Sequence, residues 1–376
     1  MSEWLVIPRD PLIFRDGKPF VATPGERADS LPFPFPSTVI GAVRTRAGTD
    51  ASNGKFDATK LNRLLENSIH GPVLVELDAN EAIVERYFPA PADALVVETS
   101  DKGIVLRYAL APIRVSTNST DLGVSHLVGR DPQIKDKPYY KTPRLWTWPT
   151  MKEWLHNGVD DGPFDAKTLG MEELPRDHRT HVSIQPDTHA SREGALFQTS
   201  GMEFTTENAS SLAIALTSDA GLQAGVDFLG GERRIVQWWA TSNVFADATC
   251  PEDIVQKISE DKSCRLILAT PAYFANGHLP SYLTSQFGAT VVASAVPRYQ
   301  TISGWDYSKP NGGEPKPTRR LAPAGSVYFL DLTQVTDLQD FIKRVWLNNI
   351  SDDVQACRDG FGLALLGTWK NMEVNG

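Results

Sequence analysis

The sequence predicts an α+β fold, and three observations predict it. Short apolar runs bounded by turn residues recur along the chain. Amphipathic stretches fall between them without the regular βαβα alternation of a doubly wound sheet. Glycine and proline supply 28 and 26 of the 376 residues, which favours turns and short strands over long helices. No repeat of 20–50 residues is present. At ~100–200 residues per domain the length predicts two domains. A division at 195/196 gives two α+β halves of similar size, 1–195 and 196–376.

Taken in order, residues 4–15 read as an extended segment broken by Pro8 and Pro11, since proline confines a strand to an edge or bulge. The prolines alternating with aromatics in 29–36 exclude a helix there. Ser37 then stands as a helix N-cap, with Val39, Ala42 and Val43 at helical spacing. Residues 60–69 place Leu61, Leu64, Leu65 and Ile69 on one helical face. Strands are expected at 73–77, 82–88, 211–217, 234–245, 264–270, 289–296, 325–331 and 366–370, and a strand–turn–strand unit over 179–204. Helices are expected over 221–229, 251–260 and 337–347.

The formal charge of −9 and a pI near 5.4 exclude a generic polyanion binder. Any nucleic-acid contact needs a local basic surface. Residues 107–152, with eight basic and three acidic side chains, are the first candidate for one. Cys250, Cys264 and Cys357 form no CxxC pair, so neither a disulfide framework nor a cysteine metal site is expected, and scattered thiols suit a reducing compartment. The start of the chain lacks the order of a signal peptide and no apolar run reaches membrane-spanning length, so a soluble cytoplasmic protein is expected.

No P-loop, GxSxG, HExxH or strand-borne GxGxxG occurs, and neither cofactor, metal nor small-molecule substrate is expected. His178 and His181 lack a third ligand at close spacing. His181 with His189 suits acid and base in a metal-independent endoribonuclease, the alternative to a binding role. The segment Pro36–Arg44 combines a helix start, which presents unpaired N–H groups to a phosphate, with the Ser37 and Thr38 hydroxyls, an approachable Gly41 and Arg44 two turns in. Gly360, Gly362 and Gly367 allow close approach to a ligand. Arg233 and Arg234 follow a double glycine, and 298–320 interleaves Arg298, Tyr299, Trp305, Tyr307, Lys309, Lys316, Arg319 and Arg320 in the manner that suits single-stranded RNA.

The order of these motifs is informative. PLIFRDGKPF (11–20), SLPFPFPSTVIGAVRT (30–45), HVSIQPDTHASREGALFQTSGM (181–202), LGGERR (229–234), PAGSVYFL (323–330) and GFGLALLG (360–367) resemble the RAMP superfamily of CRISPR proteins. Within it the chain is most similar to the third subunit of the type III-B Cmr effector complex. The resemblance implies two ferredoxin-like (RRM-like) domains with insertions and a non-catalytic subunit that binds the 5′ handle of the CRISPR guide RNA. It implies as partners the large polymerase-like subunit and the backbone subunit, in antiviral defence. On this chain it implies RNA contacts at Ser37, Thr38, Gly41 and Arg44, at Arg179, His181 and Arg192, at Arg233 and Arg234, and at Gly360, Gly362 and Gly367. Arg298 joins them from the residue pattern.

Overall fold

A computed structural model describes the chain except residues 16–26, 29, 51, 116–125, 131–135, 158–160, 207–209, 307–308, 310–312 and 370–376. Of residues 27–28, 157, 161 and 192–195 it describes the backbone alone. The architecture is mixed, with mostly antiparallel sheets as expected for α+β. Strands of the larger sheet are β1 (Ser2–Pro8), β2 (Ile69–Leu77), β3 (Ile83–Pro89), β4 (Leu145–Thr147), β5 (Gly170–Met171), β6 (Ser211–Ser218), β7 (Gly225–Phe228) and β8 (Ile235–Thr241). Their spatial order is β5-β4-β3-β2-β6-β1-β8-β7, antiparallel throughout. The expected division at 195/196 falls inside a hairpin, and β6 and β8 beyond it flank β1 on both sides.

Alternation along β1 sorts its side chains between two cores. Trp4 and Val6 meet Val39, Ile40 and Val43 of helix α1 (Pro36–Gly48), whereas Leu5 and Ile7 meet Val75, Ala213, Ala215 and Val244 on the opposite face. Residues 221–229, expected as a helix, instead hold the edge strand β7. Gly221 and Gly225 interrupt that segment, glycine is a poor helix former, and Gly225 sits at φ 141° while β8 supplies a hydrogen-bonding partner.

Four further strands form the second sheet: β9 (Ser263–Leu268), β10 (Thr290–Ala295), β11 (Val327–Asp331) and β12 (Ala364–Gly367). They lie in the order β10-β11-β9-β12, again antiparallel. Helix Ser281–Phe287 connects β9 to β10, and helix Leu338–Val345 lies between β11 and β12. The latter is stapled by Phe341, Ile342 and Val345 into the largest core, which also takes Met151, Trp154 and Leu155 from helix α2 (Trp148–Asn157). Helix α2 has no counterpart among the sequence-based expectations.

A buried polar knot ties these parts together. Arg265 on β9 donates from Nη1 to Asp93 Oδ2 at 2.7 Å, from Nη2 to the Trp154 carbonyl at 2.5 Å and from Nε to the Thr368 carbonyl at 2.9 Å. Trp154 Nε1 donates to the other Asp93 oxygen at 2.9 Å. Asp93 is wholly buried and Arg265 nearly so. Removing one partner of such a pair strands the other charge out of water. Asp93→Ala is therefore expected to lower the unfolding free energy by about 3–5 kcal/mol. Chemical denaturation checks this, and a loss under about 1 kcal/mol would show that water reaches the knot.

The three cysteines are free thiols. Burial pushes the Cys250 thiol up to about 12 and the Cys357 thiol up to about 11, and it raises Cys264 as well. Only the thiolate reacts. Alkylation by iodoacetamide near neutral pH is expected to run roughly 100-fold or more slower on the native chain than in urea, read by mass spectrometry.

Candidate nucleic-acid interface

Four motifs meet around Ile13 and Phe14. The Gly231 N–H donates to the Ile13 carbonyl at 2.7 Å. Gly230, at φ 78°, lies so close that a Cβ would stand 2.6 Å from the same oxygen, so both backbone conformation and space demand glycine. On the other side the Leu31 N–H donates to the Phe14 carbonyl at 2.7 Å, and the Ser30 hydroxyl accepts from Phe14 N–H at 2.8 Å. Leu12 and Met202 exchange backbone bonds of 3.0 and 2.7 Å, and Arg176 Nη1 reaches the Ser30 carbonyl at 3.1 Å. Segments 11–15, 30–36, 176–202 and 229–234 thus share one hub.

The helix start stands beside it. Phe35, not Ser37, is the N-cap of α1, with Pro36 at the first helical position and no side-chain cap. The half-buried Ser37 and Thr38 hydroxyls make no side-chain hydrogen bond among the described residues. No acidic residue occupies the first turn, and Gly41 faces open space with no atom within 4 Å of a would-be Cβ. Arg44 differs from the expectation. Its Nη1 pairs with Asp359 at 2.7 Å, its Nε donates to the Leu64 carbonyl at 3.0 Å, and Nη2 donates to the Leu65 and Asn67 carbonyls at 3.2 and 2.9 Å. That guanidinium holds α1 to the C-terminal part of the chain.

The expected close approach of the glycine-rich loop is made to the chain's own backbone. A Cβ on Gly360 would stand 2.7 Å from the Gly71 carbonyl oxygen, and one on Gly362 2.9 Å from the Ile350 and Ser351 nitrogens. One on Gly367 would stand 2.9 Å from the Leu155 oxygen. All three glycines are buried, and the Thr270 hydroxyl sits inside the loop, accepting from Gly362 and Leu363 N–H and donating to the Gly360 carbonyl. Phe361 in turn packs with Phe35, Leu321 and Ala356, and Tyr273 and Ile302 lie against the same cluster. The loop therefore joins the start of α1 to the base of the 298–321 segment.

The hairpin pairs Arg176–Ile184 with Ser191–Met202. Arg179 pairs with Asp177 at 2.5 Å. His181 stacks on Phe197 at 5.2 Å, and its Nε2 lies 3.0 Å from the Thr199 hydroxyl. His189 occupies the tip turn at φ 52°. The three residues from His181 to Ile184 alone span roughly 10 Å of strand, so the two histidines share no reacting centre. Arg192 lies in the second strand, its side chain outside the described residues. Arg233 is exposed, with its guanidinium 4.5 Å from the Phe228 ring, and Arg234 pairs with Glu232 at 2.7 Å. Glu232 and Arg233 are both left-handed, at φ 59° and 51°, a conformation costing about 1–2 kcal/mol each. Arg298 is exposed with no ion pair among the described residues.

The basic stretch 107–152 is not one exposed surface. Arg107 is buried between the Trp146, Trp154 and Phe164 rings and pairs with Glu153 at 3.4 Å, while Lys152 reaches Asp247 and Arg144 reaches Glu173. Sequence reasoning missed Tyr273, whose ring lies 4.5 Å under the Arg319 guanidinium, and the acidic partners Asp353 and Asp359. A single sequence carries no signal for these pairings across the fold. Among the described residues no group of three or more His, Cys, Asp or Glu side chains is placed to hold a metal, and no helix is long and apolar enough to cross a membrane.

Residues 4–369 match the family described as CRISPR-associated protein (Cas_Cmr3). Among curated proteins none matches. Of solved structures, a chain of the cryo-EM structure of the type III-B Cmr-beta bound to cognate target RNA and AMPPnP shares 17% identity, with a TM-score of 0.46 over 87% of this chain and 86% of that one. A chain of the Cmr-beta structure bound to cognate target RNA shares 16%, with a TM-score of 0.48 over 91% and 89%. A chain of the Csm3-Csm4 subcomplex of the type III-A interference complex shares 10%, with a TM-score of 0.35 over 99% and 100%.

The contacts of Arg44 make a direct forecast. Arg44→Ala is expected to cost about 2–4 kcal/mol of stability, because a largely buried carboxylate and three carbonyls lose their donor. Arg44→Lys is expected to recover little, since one ammonium does not replace a planar fork. Urea denaturation of both variants measures it, and a near-neutral alanine variant would remove the clamp from the account.

Proposed function

Because the chain belongs to the Cas_Cmr3 family of CRISPR-associated proteins, we propose that it is a non-catalytic RNA-binding subunit of a type III-B CRISPR effector complex. It binds the 5′ handle of the guide RNA and joins the large polymerase-like subunit to the backbone filament in cytoplasmic antiviral defence. The family match over residues 4–369 carries this reading.

The geometry supports the RNA part of it. Ser37, Thr38 and the open Gly41 offer a helix start without competing carboxylates in its first turn, suited to a sugar-phosphate backbone. Arg233 follows the glycine pair at this hub, and Arg179, His181 and Arg192 stand successively farther out along the hairpin that leaves it, a line of positions suited to a strand of RNA. Arg44, Arg234 and the three glycines serve this surface by holding its parts in register. We read both sheets as ferredoxin-like units. The β10-β11-β9-β12 order follows a βαββαβ succession, and β2-β6-β1-β8 repeats it with α1 and without the second helix. On this reading the first unit ends after Thr241, and residues 78–210 are its insertion.

The test is co-expression of the affinity-tagged full chain with the other subunits of its complex. A short RNA with a constant 5′ sequence is expected to co-purify and to crosslink through that end to this chain. An assembled complex whose guide RNA crosslinks only to other subunits would overturn the assignment.

A further inference from the structure

Between β10 and β11 the chain makes an arm of two short ladders, Gln300–Ile302 with Arg319–Leu321 and Trp305–Asp306 with Glu314–Pro315. Residues 298–321 carry five basic and two acidic side chains within a chain of net charge −9. Strand alternation gives the arm two sides. The inner side holds Leu321, buried against Phe35, and Arg319, whose guanidinium covers the Tyr273 ring and pairs with Asp353 at 3.1 Å. The outer side holds Tyr299, Thr301 and Arg320.

Arg319 and Arg320 are neighbours in sequence with the same side chain, yet they are used differently. Arg319 has both its flat face and its N–H edge engaged. Arg320 lies over Tyr299 at 4.8 Å, and its N–H edge, like the cations of Arg298 and Lys316, meets no carboxylate among the described residues. Tyr299 remains 49% exposed and Trp305, farther out, 47%. Tyr299 and Arg320 thus share the outer side, and Arg298, Trp305 and Lys316 add cations and a ring along the arm, a spacing that suits the bases and phosphates of an unpaired strand.

We propose that the outer side of this arm is a base-stacking platform for single-stranded RNA. An unpaired base lies on Tyr299, Arg320 and Arg298 take the flanking phosphates, and Trp305 receives a further base. The ring carries sequence-tolerant affinity, and a duplex, whose base faces are hidden, is refused. This inference rests on the RNA-binding reading given above and adds a location and a mode of contact to it.

The experiment uses the full chain at low salt, where phosphate contacts are strongest. Its probe is a fluorescein-labelled 12-nucleotide single-stranded RNA carrying 4-thiouridine. Anisotropy is expected to show Tyr299→Ala binding roughly 5- to 100-fold more weakly, with Tyr299→Phe close to wild type because stacking needs the ring and not the hydroxyl. Crosslinks are expected in peptides spanning 298–306 and 314–320, and a duplex of the same sequence is expected to compete poorly. Tyr299→Ala binding at wild-type strength, with crosslinks confined to the helix start or the hairpin, overturns the platform and leaves the RNA-binding reading intact. No RNA binding by wild type, alone or in its assembled complex, overturns both. Loss of subunit assembly in Tyr299→Ala with RNA crosslinks unchanged makes the arm a protein contact and overturns the platform as well.

Discussion

The fold depends on how one guanidinium is satisfied. Arg265 sits on the central strand β9, where β11 and β12 close it in from both sides, so no water is at hand to solvate its charge. Every contact it makes comes from a different part of the chain: Asp93 from the segment after β3, Trp154 from α2 and Thr368 from beyond β12. A planar fork satisfies three directions at once, which an ammonium does not. The geometry of that fork therefore sets where the segment after β3 docks on the second sheet. Arg44 repeats the device at the other end of the junction, fastening α1 to Asp359. Around these two fasteners the helix start, the glycine loop and the basic arm come to share a cluster of side chains.

This use of arginine explains a mismatch between charge and surface. Arg44, Arg46, Arg86, Arg107 and Arg265 all spend hydrogen bonds or ion pairs on the chain itself. A count of basic residues along the sequence cannot separate such internal fasteners from cations that face solvent. The stretch 107–152 looks basic for that reason, although Arg107 is packed among three aromatic rings. On the arm between β10 and β11, by contrast, Arg298, Lys316 and Arg320 meet no carboxylate among the described residues. An overall acidic chain and a local affinity for phosphate are compatible on those terms.

The legibility of the sequence followed the range of the forces involved. Strands β1, β2, β3, β6, β9 and β11 were readable because their apolar runs are local and bounded by turn residues. Helix α1 was readable too, though its cap was misplaced by two residues because Pro36 fits the first helical position better than the Ser37 hydroxyl fits the cap. Strand β7 was not, because its conformation is decided by β8 and by Arg46 Nη1 on Asp227, 181 positions away in sequence. Helix α2 was hidden because Trp148, Met151, Trp154 and Leu155 lie in a segment rich in proline and cations. At the candidate site the residue types were legible, whereas the division of labour between Arg319 and Arg320 is a property of Tyr273, Asp353 and Tyr299 in space.

The order of strands in the larger sheet has a consequence for birth on the ribosome. Both neighbours of β1 come from residues beyond 210, so this strand leaves the exit tunnel some two hundred residues ahead of either partner. At ~5–20 residues per second its apolar flank waits roughly 10–50 s for Thr241 to be translated. Over that interval Trp4, Leu5, Val6 and Ile7 form a naked edge, the kind of surface that nascent-chain chaperones cover and that mispairs when they do not.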